Sequence, residues 1–130
     1  MIFFGHRFID SEKFYHIHSM DAIENTPANS TIFVEFNEEN LELIKFATKN
    51  SVSIALHVEN ITQITYASAL HVNYIVLQKE LAKTAQNLAE NYLFDAKIIV
   101  HVDEDSEIEE LALLGVDGVI YQNAIIKINS

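Results

Sequence analysis

Histidine, carboxyl and amide side chains recur along this sequence at the points where short apolar segments end. Imidazole nitrogens bind zinc, iron or nickel, whereas carboxylate oxygens prefer harder cations. The residues predicted to bind a metal are His18, Glu35, His57 and His101. The residues predicted to bind a small ligand are His18, Glu35, His57, Gln78, His101 and Gln122. No cofactor other than a divalent metal is predicted.

Only a few of these residues suggest a specific chemical role. Glu35 is the one acid inside an apolar, strand-like segment, which makes it a candidate general acid. His16 and His18 would lie on the same face of one strand and could pair. No nucleophile stands out, because the chain has no cysteine and no Gly-x-Ser-x-Gly sequence. We therefore predict no catalytic residue and favour a protein that is not an enzyme.

The charge of the chain excludes two classes of partner. Nineteen acidic residues oppose eight basic ones, which gives a net charge of −11 at pH 7, and the basic residues are scattered singly along the sequence. Such a surface repels the phosphates of nucleic acids and the headgroups of anionic membranes. We therefore expect neither nucleic acid nor a membrane as a partner.

The composition excludes several kinds of site. Three glycines cannot supply a Gly-rich dinucleotide or phosphate-binding loop, and the absence of cysteine excludes disulfides and sulfur-ligated zinc. The first residues lack the basic start and long apolar segment of a signal peptide. A cytoplasmic location is predicted by default.

The elements that must position the candidate residues alternate between β-branched segments and segments with helical periodicity, which is typical of βαβ units. The predicted strands are Thr31–Phe36, Val52–Val58, Tyr74–Gln78, Lys97–Val102 and Gly118–Tyr121. Their nearly continuous apolar content favours strands covered on both faces, as in parallel sheets. Because the carboxyl ends of parallel strands share one edge, the candidate residues should gather there.

Helix boundaries are indicated by local signals. Asn37 is a predicted N-cap, and a buried stripe predicts a helix over about Glu80 to Leu93. Gly115 stands where a fourth helix should end. Capping-box spacing occurs at Asn60 with Gln63 and at Ser106 with Glu109.

Two stretches of the chain repeat with an offset of 44 residues. Ser53–Glu59 parallels Lys97–Asp103, and Ala69–Ile75 parallels Leu113–Val119. The offset equals one pair of βα units. Such a repeat is expected because each unit consists of an apolar strand, an acid or amide near the helix start and a short turn. His71 stands where the second copy has Gly115, which predicts a positive φ at His71.

The two ends of the chain are less regular. Phe14–His18 is predicted as a strand, followed by a helix-like turn over Ser19–Asn25 that stops near Pro27, and Met1–Phe8 is predicted to pair with the strand as a hairpin. The segment Gln122–Ser130 is too short for a covering helix. It forms either a tail strand or packed tail, or a homodimer contact through Ile125, Ile126 and Ile128.

From Thr31 to Ala124, the order and lengths of the elements resemble the receiver domains of bacterial response regulators. The segment from Ile99 to Tyr121 looks like the last two βα repeats of that family. Receivers carry a phosphoacceptor aspartate at the end of the third strand and a lysine after the fifth, where this chain has Gln78 and Gln122. The resemblance therefore implies a regulatory module without phosphotransfer.

A second resemblance is to glycerophosphodiester phosphodiesterases, which are metal-dependent barrel enzymes. Their His-Arg, Glu-Asn-Thr and Glu-x-Asp motifs are similar, in the same order, to His6-Arg7, Glu24-Asn25-Thr26 and Glu35-Phe36-Asn37, although Asn37 replaces the second acid. This resemblance implies a metal-dependent phosphodiester hydrolase that uses the strand ends.

Taken together, the sequence predicts one α/β domain over residues 1–130, with a mainly parallel sheet of five or six strands and helices on both faces. A half-barrel of βα repeats that dimerises is the alternative. The predicted function is a non-catalytic binding or regulatory module that acts through protein contacts or a small ligand at the strand ends. The metal-dependent hydrolase is the alternative function, and a homodimer is the predicted assembly.

Overall fold

The apolar segments of the sequence form parallel strands joined by short helices. A computed structural model describes residues 1–128 and contains eight strands and four α-helices in that range. The strands are β1 (Ile2–Phe4), β2 (Phe14–His16), β3 (Thr31–Glu35), β4 (Ile54–His57), β5 (Tyr74–Leu77), β6 (Lys97–Val102), β7 (Gly118–Tyr121) and β8 (Ile125–Lys127). The helices are α1 (Leu41–Lys49), α2 (Ile61–Ala69), α3 (Ala82–Asn91) and α4 (Ile108–Leu114).

Most of the predicted helix boundaries are confirmed by hydrogen bonds. The Asn37 side chain accepts from the Asn40 N–H in a 3-10 turn before α1, and the Asn60 side chain accepts from the Gln63 N–H at the start of α2. Gly115 ends α4 with φ of 80°, and His71 follows α2 with φ of 60°, as predicted.

The predicted capping box at Ser106 and Glu109 is wrong. The N-cap is Glu104, and Glu107 completes the box. The Glu107 carboxylate accepts from the N–H groups of Asp103 and Glu104 at 2.7 and 3.0 Å. The chain therefore turns into the helix two residues earlier than the Ser-x-x-Glu spacing indicates, because one glutamate can satisfy two backbone donors at once.

The sheet is entirely parallel, and its strand order is β1-β7-β6-β5-β4-β3-β2-β8. The prediction of five or six strands is wrong, because β1, β2 and β8 join the five strands predicted after Thr31. The predicted hairpin of Met1–Phe8 with Phe14–His18 is also wrong. β1 pairs in parallel with β7, with Ile2 opposite Gly118, and β2 lies between β3 and β8. Three-residue strands that pair with distant parts of the chain carry little local signal.

The sheet is strongly curved, so that strands far apart in the order come together. The rings of Phe4 in β1 and Phe14 in β2 lie 4.8 Å apart between centroids, and both contact the ring of Tyr74. In a flat sheet, six strand spacings would separate β1 from β2 by about 29 Å. The structure therefore supports the half-barrel alternative for the architecture.

The four helices cover only the convex face of this sheet, so the predicted helices on both faces are wrong. The buried apolar residues of all four helices belong to one outer core, together with strand residues such as Val34 and Ile98. The concave face is filled by side chains of the strands and of Ala124. Because the sheet is curved, the side chains of the concave face pack on each other. They bury the face that we predicted helices would cover.

The 44-residue repeat is confirmed by matching hydrogen bonds. The Asn73 side chain accepts from the Ile54 N–H at 3.0 Å, and the Asp117 side chain accepts from the Ile98 N–H at 2.8 Å. In both copies, a side chain that precedes one strand thus accepts a hydrogen bond from the backbone of the neighbouring strand. The two copies of the repeat therefore align their pairs of strands in the same way.

The end of the chain forms a tail strand. Ile125 and Ile126 lie in β8, and the N–H of Ile128 donates to the carbonyl of His16. The last two residues of the predicted tail lie outside the described residues. Among the helices of residues 1–128, none is long and apolar enough to cross a membrane.

Candidate functional site

A small cavity of about 230 Å³ opens at the carboxyl ends of the strands, on the concave side of the sheet. Its lining residues are His16, Phe33, Glu35, His57, Val76, Gln78, His101, Gln122, Ile125 and Lys127. Every residue of the predicted ligand-binding set except His18 lines it. The sequence prediction therefore placed five of six candidate residues around one cavity.

Strand geometry explains why these side chains converge. Alternate residues of a strand face the same side, so a residue two positions after a concave core residue also faces inward. The concave core residues of six strands are Phe14, Phe33, Ala55, Val76, Ile99 and Ile120. The residues two positions later are His16, Glu35, His57, Gln78, His101 and Gln122, and all six line the cavity. The site is thus a polar layer stacked on an apolar one.

Glu35 and His57 form the closest polar contact in the cavity. They are opposite each other on β3 and β4, and the Glu35 Oε2 lies 2.6 Å from the His57 Nδ1. Both residues are partly buried, and the His57 ring stacks on Phe33 with centroids 5.9 Å apart. This contact fixes the orientation of the imidazole.

The second copy of the repeat supplies a similar but looser pair. The His101 Nε2 lies 3.2 Å from the Gln122 Oε1, which accepts a hydrogen bond when that nitrogen is protonated. Gln78 is 44 residues before Gln122, just as His57 is 44 residues before His101. The two repeats therefore contribute one histidine and one glutamine each to the cavity.

His16 and Lys127 line the cavity but were not among the predicted ligand-binding residues. They are opposite each other on β2 and β8. The Nε2 of His16 is buried and has no hydrogen-bond partner among the described residues. Burial lowers the pKa of His16, and the nearby His18 lowers it further. The signal that could have found His16 is the Phe14-x-His16 spacing, which matches Phe33-x-Glu35.

The predicted metal ligands are only partly brought together. Glu35 and His57 are in contact, but His101 is bonded to Gln122, and His18 is an exposed residue whose ring lies 4.5 Å from that of His16. Within residues 1–128, no group of three or more His, Asp or Glu side chains is placed to hold a metal ion. Metal binding by the four residues remains a prediction.

A separate polar cluster lies at the ends of β1 and β7. The Tyr121 hydroxyl donates to the Asp105 Oδ1 at 2.7 Å, and the His6 Nε2 lies 3.5 Å from the same oxygen. These residues and Arg7 line a cavity of about 210 Å³. Burial, with the Asp105 contact second, raises the pKa of Tyr121 to about 12.

The three motifs shared with glycerophosphodiester phosphodiesterases do not meet in one place. His6 and Arg7 line the cluster at β1 and β7, and Glu35 lines the concave cavity. Thr26 of the second motif lines a third cavity with Ser30 and Ser53, which precede β3 and β4 at the opposite edge of the sheet. The Glu-Asn-Thr motif therefore contributes nothing to the concave cavity.

Comparisons with protein families and with curated proteins identified no relative of the chain. No protein-family model matches the chain, and no curated protein is significantly similar to it in sequence. The geometry of the concave cavity is therefore the feature of the molecule that bears most directly on its function.

Proposed function

We propose that the protein is a non-catalytic binding or regulatory module whose small polar ligand occupies the concave cavity. The observation that carries this proposal is the continuous layer of inward-facing polar side chains at the carboxyl ends of six adjacent strands. Ligands of parallel α/β proteins bind at this edge, where loops and helix starts surround the strand ends.

The size and lining of the cavity limit the ligand. A volume of about 230 Å³ lies below the range of roughly 300–1,000 Å³ that is typical of sites for drug-sized molecules. Its floor is apolar, with Phe33, Val76 and Ile125, whereas its rim offers amide and imidazole groups. Such a site suits a molecule of few heavy atoms that makes several hydrogen bonds.

A cavity-filling variant tests the proposal. Gln78 is exposed at the rim, so Gln78→Phe should block the cavity without disturbing the core. Asn91→Phe makes the same type of change at an exposed position at the end of α3 and is the matched control. Small polar fragments should shift the amide and imidazole NMR signals of cavity residues in the wild type and in Asn91→Phe, but not in Gln78→Phe. Shifts that persist in Gln78→Phe would contradict the proposal.

A metal-dependent hydrolase is the second candidate, and the contact between Glu35 and His57 favours it. A carboxylate and an imidazole 2.6 Å apart are two adjacent ligand groups. Zinc, manganese or nickel should then raise the melting temperature, since a ligand that binds only the folded state stabilises it. The increase should disappear in Glu35→Gln and should accompany hydrolysis of a phosphodiester. The absence of any metal-induced shift would eliminate this candidate.

The assembly and location of the protein stay as predicted from the sequence. We propose a homodimer and a cytoplasmic location, and light scattering tests the first. The isoleucines that prompted the dimer prediction are half-buried within the chain, where β8 pairs with β2. They keep only part of their surface for a dimer contact, whereas Leu93 and Leu113 are the most exposed large apolar residues of the described chain, each at 84%.

A further inference from the structure

The concave cavity differs in charge from the protein around it. The chain carries a net charge of −11. The cavity, in contrast, is lined by four nitrogen bases, His16, His57, His101 and Lys127, and by one carboxylate, Glu35. That carboxylate already contacts His57 at 2.6 Å. Among the described residues, Lys127 is therefore left as a positive charge in a site whose one carboxylate is engaged.

His16 is surrounded by other bases. His18 approaches it from its own segment, His57 from β4 and Lys127 from β8, and all three disfavour its protonation. Among residues 1–128, Glu35 on β3 favours protonation. Burial disfavours the charged ring most strongly, so the pKa of His16 is lowered.

An anion in the cavity would find two binding groups. Its negative charge would interact with the Lys127 ammonium. The anion would also give an acceptor to the His16 ring, whose buried Nε2 has no partner among residues 1–128. Oxyanions accept several hydrogen bonds at once, and the Lys127 ammonium, the His16 ring and the amide groups of Gln78 and Gln122 are the donors that the cavity offers.

We propose that the ligand of the concave cavity is a small oxyanion, such as a phosphate or carboxylate group, which Lys127 and His16 bind together. This inference rests on the proposed function, because it names the class of ligand for the same cavity. A cation fits less well, since the single carboxylate is already bonded and no group of three ligands is formed among the described residues.

Isothermal titration calorimetry with sulfate tests the inference, because sulfate is an oxyanion that does not titrate between pH 5 and 8. Titrations at constant ionic strength should report a single class of sulfate site. Phosphate and malonate, compared at one pH, distinguish a phosphoryl group from a carboxylate as the natural ligand group.

Matched variants separate the site from general charge effects. Lys127→Gln should weaken sulfate binding by about five- to tenfold, whereas Lys97→Gln removes an equal charge at the opposite end of a strand and should have no effect. His16→Asn should also weaken sulfate binding severalfold, whereas His71→Asn, at an exposed position of positive φ, should have no effect. Unfolding curves of each pair establish that the variants are folded.

The possible failures are distinguishable. If neutral fragments shift the cavity signals but sulfate, phosphate and malonate do not bind, the oxyanion inference falls and the proposed binding function stands. If no probe of either kind perturbs the cavity, both fall. Equal weakening in Lys127→Gln and Lys97→Gln would also overturn the inference, because binding would then reflect only the overall charge.

Discussion

The carboxylate of Glu35 lies 2.6 Å from the Nδ1 of His57, on the neighbouring strand of the concave face. An ionised carboxylate can only accept a hydrogen bond, so Nδ1 carries the proton and Nε2 of the neutral ring becomes the acceptor. Glu35 therefore decides which nitrogen of His57 is available to a ligand in the cavity. A general acid was the role suggested by the sequence, and a positioning role is what the contact supports.

Replacing Glu35 by glutamine tests this relationship. Glu35→Gln should lower the free energy of unfolding by about 1 kcal/mol, because a charge-assisted hydrogen bond in a partly buried site becomes a neutral one. Long-range proton–nitrogen NMR should show His57 changing from one tautomer to a mixture of two. Glu90→Gln, at an exposed position near the end of α3, is the control and should stay within about 0.5 kcal/mol of the wild type. An unchanged tautomer in Glu35→Gln would contradict the positioning role.

The contact between Phe4 and Phe14 depends on the curvature of the sheet. Phe14 is fully buried and its ring lies 4.8 and 5.1 Å from the rings of Phe4 and Tyr74. Phe14→Ala should therefore cost about 3–5 kcal/mol in urea unfolding, because it leaves a cavity on the concave side. Phe8→Ala, which removes a ring that is 79% exposed, should change the stability by less than about 0.5 kcal/mol. Similar losses in the two variants would mean that the concave core is not formed in solution.

The part of the site that could be predicted follows from local periodicity. The apolar strands β3 to β7 carry a polar residue at or next to their last position, and parallel strands end at one edge, so Glu35, His57 and His101 could be placed together from sequence. His16 was missed in favour of His18, because the length of a three-residue strand cannot be read from its composition. The strand Phe14–His16 ends two residues earlier than the apolar pattern predicts.

The curvature could not be predicted, for a different physical reason. A segment such as Ile98-Ile99-Val100 is equally apolar whether its second face meets helices or the side chains of other strands. In the structure Ile98 and Val100 face the helices, whereas Ile99 faces the concave core. The curved sheet depends on contacts between distant parts of the chain, namely the pairing of β1 with β7, more than 100 residues away in sequence, and the packing of Phe4 on Phe14.

Gly118 tests that pairing. A Cβ at this position would lie 2.8 Å from the carbonyl oxygen of Ile2 and 2.9 Å from the Cδ1 of Ile99. Gly118→Ala should destabilise the protein by about 1–3 kcal/mol, since the backbone of β1 must move to make room. Gly115→Asn is the comparison, because nothing lies within 4 Å of a Cβ there and asparagine tolerates its φ of 80°. If Gly118→Ala is as stable as the wild type, β1 does not pack against β7 as described.

The hydrogen bond from Tyr121 to Asp105 predicts a specific response to alkaline pH. The folded-state pKa of Tyr121 is raised from 10.0 to about 12, chiefly by burial and then by the Asp105 carboxylate. Folding therefore favours the protonated phenol, so its stabilisation is complete below pH 10 and is lost as the pH rises through about 12. Tyr121→Phe should lose less than about 1 kcal/mol at pH 7, because the bond is exposed to solvent, and should show a smaller decline in stability between these two pH values.

Tyr92→Phe is the matched control for this response, because the Tyr92 side chain is 71% exposed. In an absorbance titration of tyrosinate, Tyr121→Phe should remove the tyrosine that ionises near pH 12, whereas Tyr92→Phe should leave that step in place. Unfolding measured at pH 9 and pH 11 should then show a steeper loss of stability in Tyr92→Phe than in Tyr121→Phe. Equal pH dependence in the two variants would mean that the hydroxyl of Tyr121 is not held by Asp105, and that the cluster at β1 and β7 is open in solution.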